Sequence, residues 1–164
     1  MKPALLVIDI QNDFFNFSQV CADSLKSAIE YVNAATGLFR KKNLPVVIIQ
    51  HENEGNNLVP GRPGFDVPDT VKIEPSDLRI MKAYGNSFKK TGLTEKLKEL
   101  GVDTVIITGF CAEECVLSTY KGAEDLDLKP IILKGSIAST NLEHIKFVEE
   151  ICDTVTFGAL ETLL

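Results

Sequence analysis

Four short apolar runs punctuate the chain: Ala4–Ile8, Pro45–Ile49, Thr104–Thr108 and Pro130–Leu133. None of them alternates with polar residues. A strand with one wet face alternates, whereas a strand covered on both faces reads as an unbroken apolar run, and such strands belong to parallel sheets sandwiched by helices. Two weaker runs, Leu78–Lys82 and Thr154–Phe157, predict a short strand and a last edge strand. Helical periodicity fills the gaps. From Asp23 to Lys42 the apolar residues Leu25, Ala28, Ile29, Val32, Ala35, Leu38 and Phe39 form one stripe, with Asp23 as the candidate N-cap and Asn43 as the breaker. Thr94–Leu100 is a shorter helix closed by Gly101, Val116–Leu126 is another, and Asn141–Cys152 is a fourth with Asn141 as its cap. Strands alternating with helices in this way predict right-handed crossovers and a three-layer α/β/α sandwich around a doubly wound, mostly parallel sheet.

Composition narrows the setting. The chain has 164 residues, enough for one domain spanning 1–164 with a sizeable core. Its net charge of −6 leaves no basic footprint for nucleic acid or anionic lipid. No apolar stretch approaches the roughly 20 residues that span a bilayer, and the run Ala4–Ile8 is too short for a signal peptide. The four cysteines do not suggest a disulfide scaffold. The expectation is a cytoplasmic protein without nucleic acid or membrane partners.

Residues 51–77 are the one irregular stretch, with four of the seven prolines (Pro60, Pro63, Pro68, Pro75). A loop this long inside a domain is usually functional or mobile. It follows the second strand, at the carboxyl edge where open α/β sheets bind ligands. Three reactive residues belong to the same edge. Asp9 closes the first strand, Lys82 closes the short one, and Cys115 follows Thr108-Gly109 at a helix start. A carboxylate ending an apolar strand is desolvated, which raises its pKa and makes it a better base. A cysteine in the first helical turn near a lysine is expected to favour its thiolate. Backbone N–H groups around residues 111–115 would face the same spot and bind an oxyanion. Each residue also has a plain structural alternative: a capping Asp9, a surface Lys82, an inert buried Cys115.

Three segments tip that balance. Leu6-Val7-Ile8-Asp9-Ile10-Gln11-Asn12-Asp13-Phe14, Lys82-Ala83-Tyr84-Gly85-Asn86-Ser87-Phe88 and Thr108-Gly109-Phe110-Cys111-Ala112-Glu113-Glu114-Cys115-Val116 resemble, in order and interval, the three motifs of the isochorismatase-like cysteine hydrolases. The resemblance covers nearly the whole chain. It implies an Asp9–Lys82–Cys115 triad and a cis peptide at Phe110–Cys111. It also implies cleavage of an amide or ureido C–N bond through a thioester, since members that lack the cysteine cleave an ether instead. It further implies a homo-oligomer, a dimer or tetramer. Phe14, His51 and Tyr84 are candidate pocket residues.

The chain departs from the family pattern after the nucleophile helix. Leu126-Asp127-Leu128 and Leu133-Lys134-Gly135-Ser136 stand where the family usually has a glycine and an aspartate, and Cys111 stands where a small residue is common. Metal-dependent nicotinamidases of the superfamily carry Asp-x-His after the second strand. Here that place reads Gln50-His51-Glu52, and of the chain's two histidines the other, His144, is distant in sequence and expected to be structural. No set of three zinc ligands can be assembled from the sequence, so neither metal nor other cofactor is expected. Two rival readings stay open: a catalytically silent family member that binds a small molecule, and a receiver-type signalling domain built on Asp9, Asp13, Thr108 and Lys134. A dinucleotide-binding domain is excluded, because the first turn reads Ile10-Gln11-Asn12-Asp13 and has no glycine-rich loop.

Overall fold

A six-stranded, wholly parallel sheet organises the molecule, which is described over residues 1–164 by a computed structural model. In sheet order the strands are β3 (Leu78–Lys82), β2 (Val46–His51), β1 (Pro3–Ile8), β4 (Thr104–Phe110), β5 (Lys129–Ala138) and β6 (Thr154–Val155). Every residue of β1 and β4 is buried, as their unbroken apolar runs require. Successive side chains alternate between two cores. Leu5, Val7, Ile48 and Ile106 pack against α1 (Gln19–Lys41) and α5 (Phe157–Leu163) on one face. Leu6, Ile8, Ile49, Val105 and Ile107 pack against α2 (Leu93–Glu99), α3 (Leu117–Glu124) and α4 (Leu142–Ile151) on the other. The three-layer α/β expectation holds, and the sheet is parallel throughout. Truncating a central residue such as Ile106 to alanine is expected to cost about 2–5 kcal/mol.

The chain leaves β1 toward β2 and β3, then crosses back to lay β4, β5 and β6 on the other side. This reversal between β1 and β4 opens a crevice at their carboxyl ends, where α/β sheets hold ligands. Gly109 makes the approach possible there. It adopts φ +116, and a Cβ would overlap the carbonyl oxygen of Ile8 on the neighbouring strand.

Several boundaries differ from the sequence reading. The first helix begins at Gln19, not Asp23, because the hydroxyl of Ser18 accepts from the N–H of Cys21 at 3.1 Å; the buried Cys21 extends the apolar stripe by one turn. Asn43 ends it in a left-handed conformation, as expected. Strand β5 runs five residues past Leu133, through Gly135 at φ +81, with a register shift against β4 between Ile107 and Gly109. Helix α5, capped by Thr156, was not anticipated. Asn141 caps α4 as expected. Residues 52–77 are anchored by the buried side chains of Leu58, Phe65 and Val71. No helix is long and apolar enough to cross a membrane.

Candidate active site

Asp9 follows directly on β1 and turns sharply there, with φ +50, a left-handed conformation that aspartate tolerates better than most residues. Its carboxylate is only 1% exposed. Lys82, the last residue of β3, is equally enclosed, and its stem reaches past β2 to the end of β1. Its Nζ donates to Asp9 Oδ2 at 2.7 Å, to His51 Nδ1 at 3.0 Å and to the Tyr84 carbonyl at 3.0 Å. A lysine ammonium has three N–H donors, and all three are engaged. Lys82 is therefore a held positive charge. His51 ends β2 opposite Lys82 in register. Because its Nδ1 accepts from an ammonium, the ring is the neutral tautomer with its proton on Nε2. Burial first, and then the Lys82 charge, push its pKa down to about 4. Its 4.0 Å approach to Asp9 is consequently not an ion pair.

Asp9 Oδ1 has no hydrogen-bond partner, and it is the one buried side-chain nitrogen or oxygen in the molecule left this way. Burial drives the Asp9 pKa up to about 6, against the lowering influence of Lys82 and, less, of the Cys115 thiol. Cys115 lies in a π-helical turn, Ala112–Val116, between β4 and α3. Its sulfur, an Asp9 oxygen and a His51 nitrogen all lie within 4.8 Å of one another. The thiol pKa is pushed up to about 12, by burial and then by the Asp9 charge, with Lys82 only partly offsetting them. This corrects the expectation of a resting thiolate. Lys82 does lower the thiol pKa, but burial and the Asp9 charge outweigh it. The resting pair is a carboxylate and a neutral thiol.

The pocket above these residues measures about 380 Å³ and is walled by Phe14, Phe17 and Phe110, whose ring centroids are 5.1–6.2 Å apart. Phe14, His51, Phe110 and Cys111 line it. Tyr84 does not: its ring is 37% exposed and packs under the Lys89 ammonium at 4.2 Å, while only its carbonyl serves the site. The peptide Phe110–Cys111 is cis. In the turn that follows, the N–H groups of Glu114 and Val116 both donate to the Cys111 carbonyl, so these two are not free for an oxyanion.

Residues 3–150 match the isochorismatase domain. The chain belongs to the isochorismatase family. It is 30% identical to the uncharacterized isochorismatase family protein YddQ of Bacillus subtilis (strain 168) over 146 residues, covering 87% of this chain and 81% of that protein. It superposes on an isochorismatase-like hydrolase from Alkaliphilus metalliredigens with a TM-score of 0.89 at 25% identity, covering 99% of each chain. N-carbamoylsarcosine amidase from Thermoplasma acidophilum shares the fold, with a TM-score of 0.82 at 23% identity over 95% of each chain.

Within this isochorismatase-family site, sequence reasoning missed several contributors. The Gln11 amide donates to the carbonyls of His51 (3.0 Å) and Phe65 (2.9 Å) and accepts from the His51 N–H (2.7 Å), tying the ends of β1 and β2 to the long connection. Its place two residues after Asp9 in the first motif was the only signal. Asn53, Asn56, Leu58, Glu113, Glu114 and Thr140 also line the pocket. A trio of potential metal donors, Asp9, His51 and Cys115, does converge, although the sequence kept them apart. The Lys82 ammonium, hydrogen-bonded to two of the three, already occupies the place a cation would take between them.

Proposed function

We propose that this protein is a cysteine hydrolase that cleaves an amide or ureido C–N bond of a small molecule through a thioester. The reading rests above all on Asp9, whose buried carboxylate lies beside Cys115 and keeps one oxygen, Oδ1, without a partner. A buried carboxylate oxygen without a donor is costly unless a proton is due to arrive there. In the first step, Oδ1 takes the thiol proton as Cys115 Sγ attacks the substrate carbonyl carbon. The carbonyl π electrons move to oxygen, and the backbone N–H groups of Cys111 and Cys115 receive the oxyanion. Lys82 holds Asp9 and balances the negative charge. The intermediate collapses by breaking the C–N bond, and Asp9 returns its proton to the leaving nitrogen. Water then attacks the thioester with Asp9 again as base, the C–S bond breaks, and the thiolate recovers its proton. A thiol with a pKa near 12 and a base with one near 6 fit proton transfer concerted with attack, not a preformed thiolate.

The kinship supports this reading at the level of the hydrolase family, and N-carbamoylsarcosine amidase, which shares the fold, is named for a C–N substrate. The receiver-domain rival loses its footing, because Lys82 and not Lys134 meets Asp9. The deciding experiment is a screen of small amides and ureides for ammonia release, with mass spectrometry of the trapped protein. Turnover with an acyl adduct on Cys115 supports the proposal. Binding of amides without turnover would instead favour the silent, ligand-binding alternative.

A homo-oligomer is part of the same proposal. Phe17, Val20, Leu142, Phe147 and Ile151 are exposed apolar residues, and Phe17 is both 59% exposed and part of the pocket wall. A second copy of the chain packed over Phe17 would shield that wall. Light scattering at micromolar concentration should report a dimer or tetramer, and a monomer alone would refute it.

A further inference from the structure

The charge lining the pocket is one-sided. Asp9, Glu113 and Glu114 contribute carboxylates, and no lysine or arginine lines it. The nearby cation is spoken for: Lys82 is enclosed behind Asp9 with every N–H engaged. His144 Nδ1 lies 2.6 Å from Glu113 Oε1. His51 is neutral. The Glu114 side chain is exposed and has neither a hydrogen bond nor an ion pair. The aromatic wall of Phe14, Phe17 and Phe110 adds ring faces, which attract cations and offer nothing to an anion. Asp9, whose Oδ1 is buried without a partner, lines the same cavity.

We infer that this pocket sorts its amide substrates by charge, with Glu113 and Glu114 as specificity-determining residues that favour a cationic end and disfavour a carboxylate. The inference rests on the amide-hydrolase reading above. A substrate carboxylate would surrender its hydration among like charges with no cation to replace it, whereas an ammonium would exchange water for carboxylates and ring faces. Glu113 stays charged because its oxygens are saturated. Ser139 Oγ lies 3.0 Å and 2.8 Å from them, and Cys111 Sγ donates at 3.0 Å. Burial raises its pKa, but these bonds and the one from His144 more than offset that and hold it below the usual value.

The test uses three matched ring amides: 3-(aminomethyl)benzamide, 3-methylbenzamide and 3-carboxybenzamide. Affinities are measured by calorimetry on the full-length Cys115→Ala protein, which cannot turn them over. The cation is expected to bind at least tenfold more tightly than the anion, and the gap should shrink at high salt. Adding Glu114→Gln should narrow the ratio about threefold, and Glu113→Gln with Glu114→Gln should bring it near one. Glu114 is exposed and unbonded, so its variant reports even if Glu113→Gln disturbs folding. Equal affinities, a preference for the carboxylate, a ratio that Glu114→Gln leaves unmoved, or no binding by any of the three overturns the inference. Ammonia release by the wild type is read separately. Charge-ordered binding without ammonia would sink the hydrolase reading and leave charge selection standing; hydrolysis without the charge order would do the reverse.

Discussion

Two clusters beside one pocket are built from nearly the same parts. One has Cys115, Asp9 and His51, with Lys82 between them; the other has Cys111, Glu113 and His144, with Ser139 between them. The carboxylates behave oppositely. Asp9 has one oxygen bonded and one bare, and burial lifts its pKa to about 6. Glu113 has both oxygens bonded, and its pKa falls. Residue type therefore does not decide which carboxylate can act as a base. An oxygen already saturated by donors has nothing left to do with a proton, whereas a buried bare one does.

The sharpest way to break this comparison is to delete each thiol in turn. Cys115→Ala should lower kcat/KM on the best amide by about a thousandfold or more, because nothing else can form the thioester. Cys111→Ala should lower it by less than about tenfold, since its thiol bonds Glu113 and Ser139 and not Asp9. Comparable losses in steady-state assays would mean that the two clusters are not functionally distinct.

Lys82→Ala comes next. Removing the ammonium leaves Asp9 buried and unpaired, a defect worth about 3–5 kcal/mol if the carboxylate stayed charged. It will take up a proton instead, because the main lowering influence on its pKa is gone. We expect about a hundredfold loss of kcat/KM and a rising limb displaced to higher pH, while Lys134→Ala tracks the wild type. A Lys82→Ala pH profile that overlays the wild type, with the fold intact by circular dichroism, would refute the triad.

The wild-type profile sharpens the same point. A base whose pKa is raised to about 6 is inactive when protonated, so kcat/KM should climb about tenfold per unit below pH 6 and level off above it. With the thiol near 12, no second gain from thiolate formation is expected up to pH 9. The smallest effect is on labelling. Without substrate, Cys115 should react with iodoacetamide no faster near pH 7 than an unperturbed thiol, and should gain steadily as pH rises. Rapid labelling at pH 7, located by peptide mapping, would restore the resting thiolate that the sequence suggested.

Burial explains what was legible beforehand. Strands β1, β2 and β4 announce themselves because both faces are covered, so their apolar runs are unbroken. The second half of β5 was invisible because Lys134, Gly135 and Ser136 interrupt the run, although backbone pairing resumes at Ile137. Helix α5 is short and buries only Leu160, too little for a periodic signal. Asp9, Lys82 and Cys115 were legible through motif spacing, and the structure brings their side chains together. Tyr84 was misplaced because adjacency to Lys82 says nothing about which way a ring turns. The state of Cys115 was misjudged because it depends on burial summed over three strands and a turn, and no local segment carries that sum.

The parallel register has a consequence for how the gene can change. His51 and Lys82 are paired in register at the ends of β2 and β3, and Asp9 follows directly on the end of β1. Inserting or deleting one codon within β1, β2 or β3 would turn every following side chain to the opposite face and pull one member out of the ensemble. The tract 52–77 lies outside that constraint, held at its middle by Gln11 and the buried Phe65. Length variation between descendants of this gene should collect in that tract, so that the pocket rim can diversify while the spacing of the reacting atoms stays unchanged.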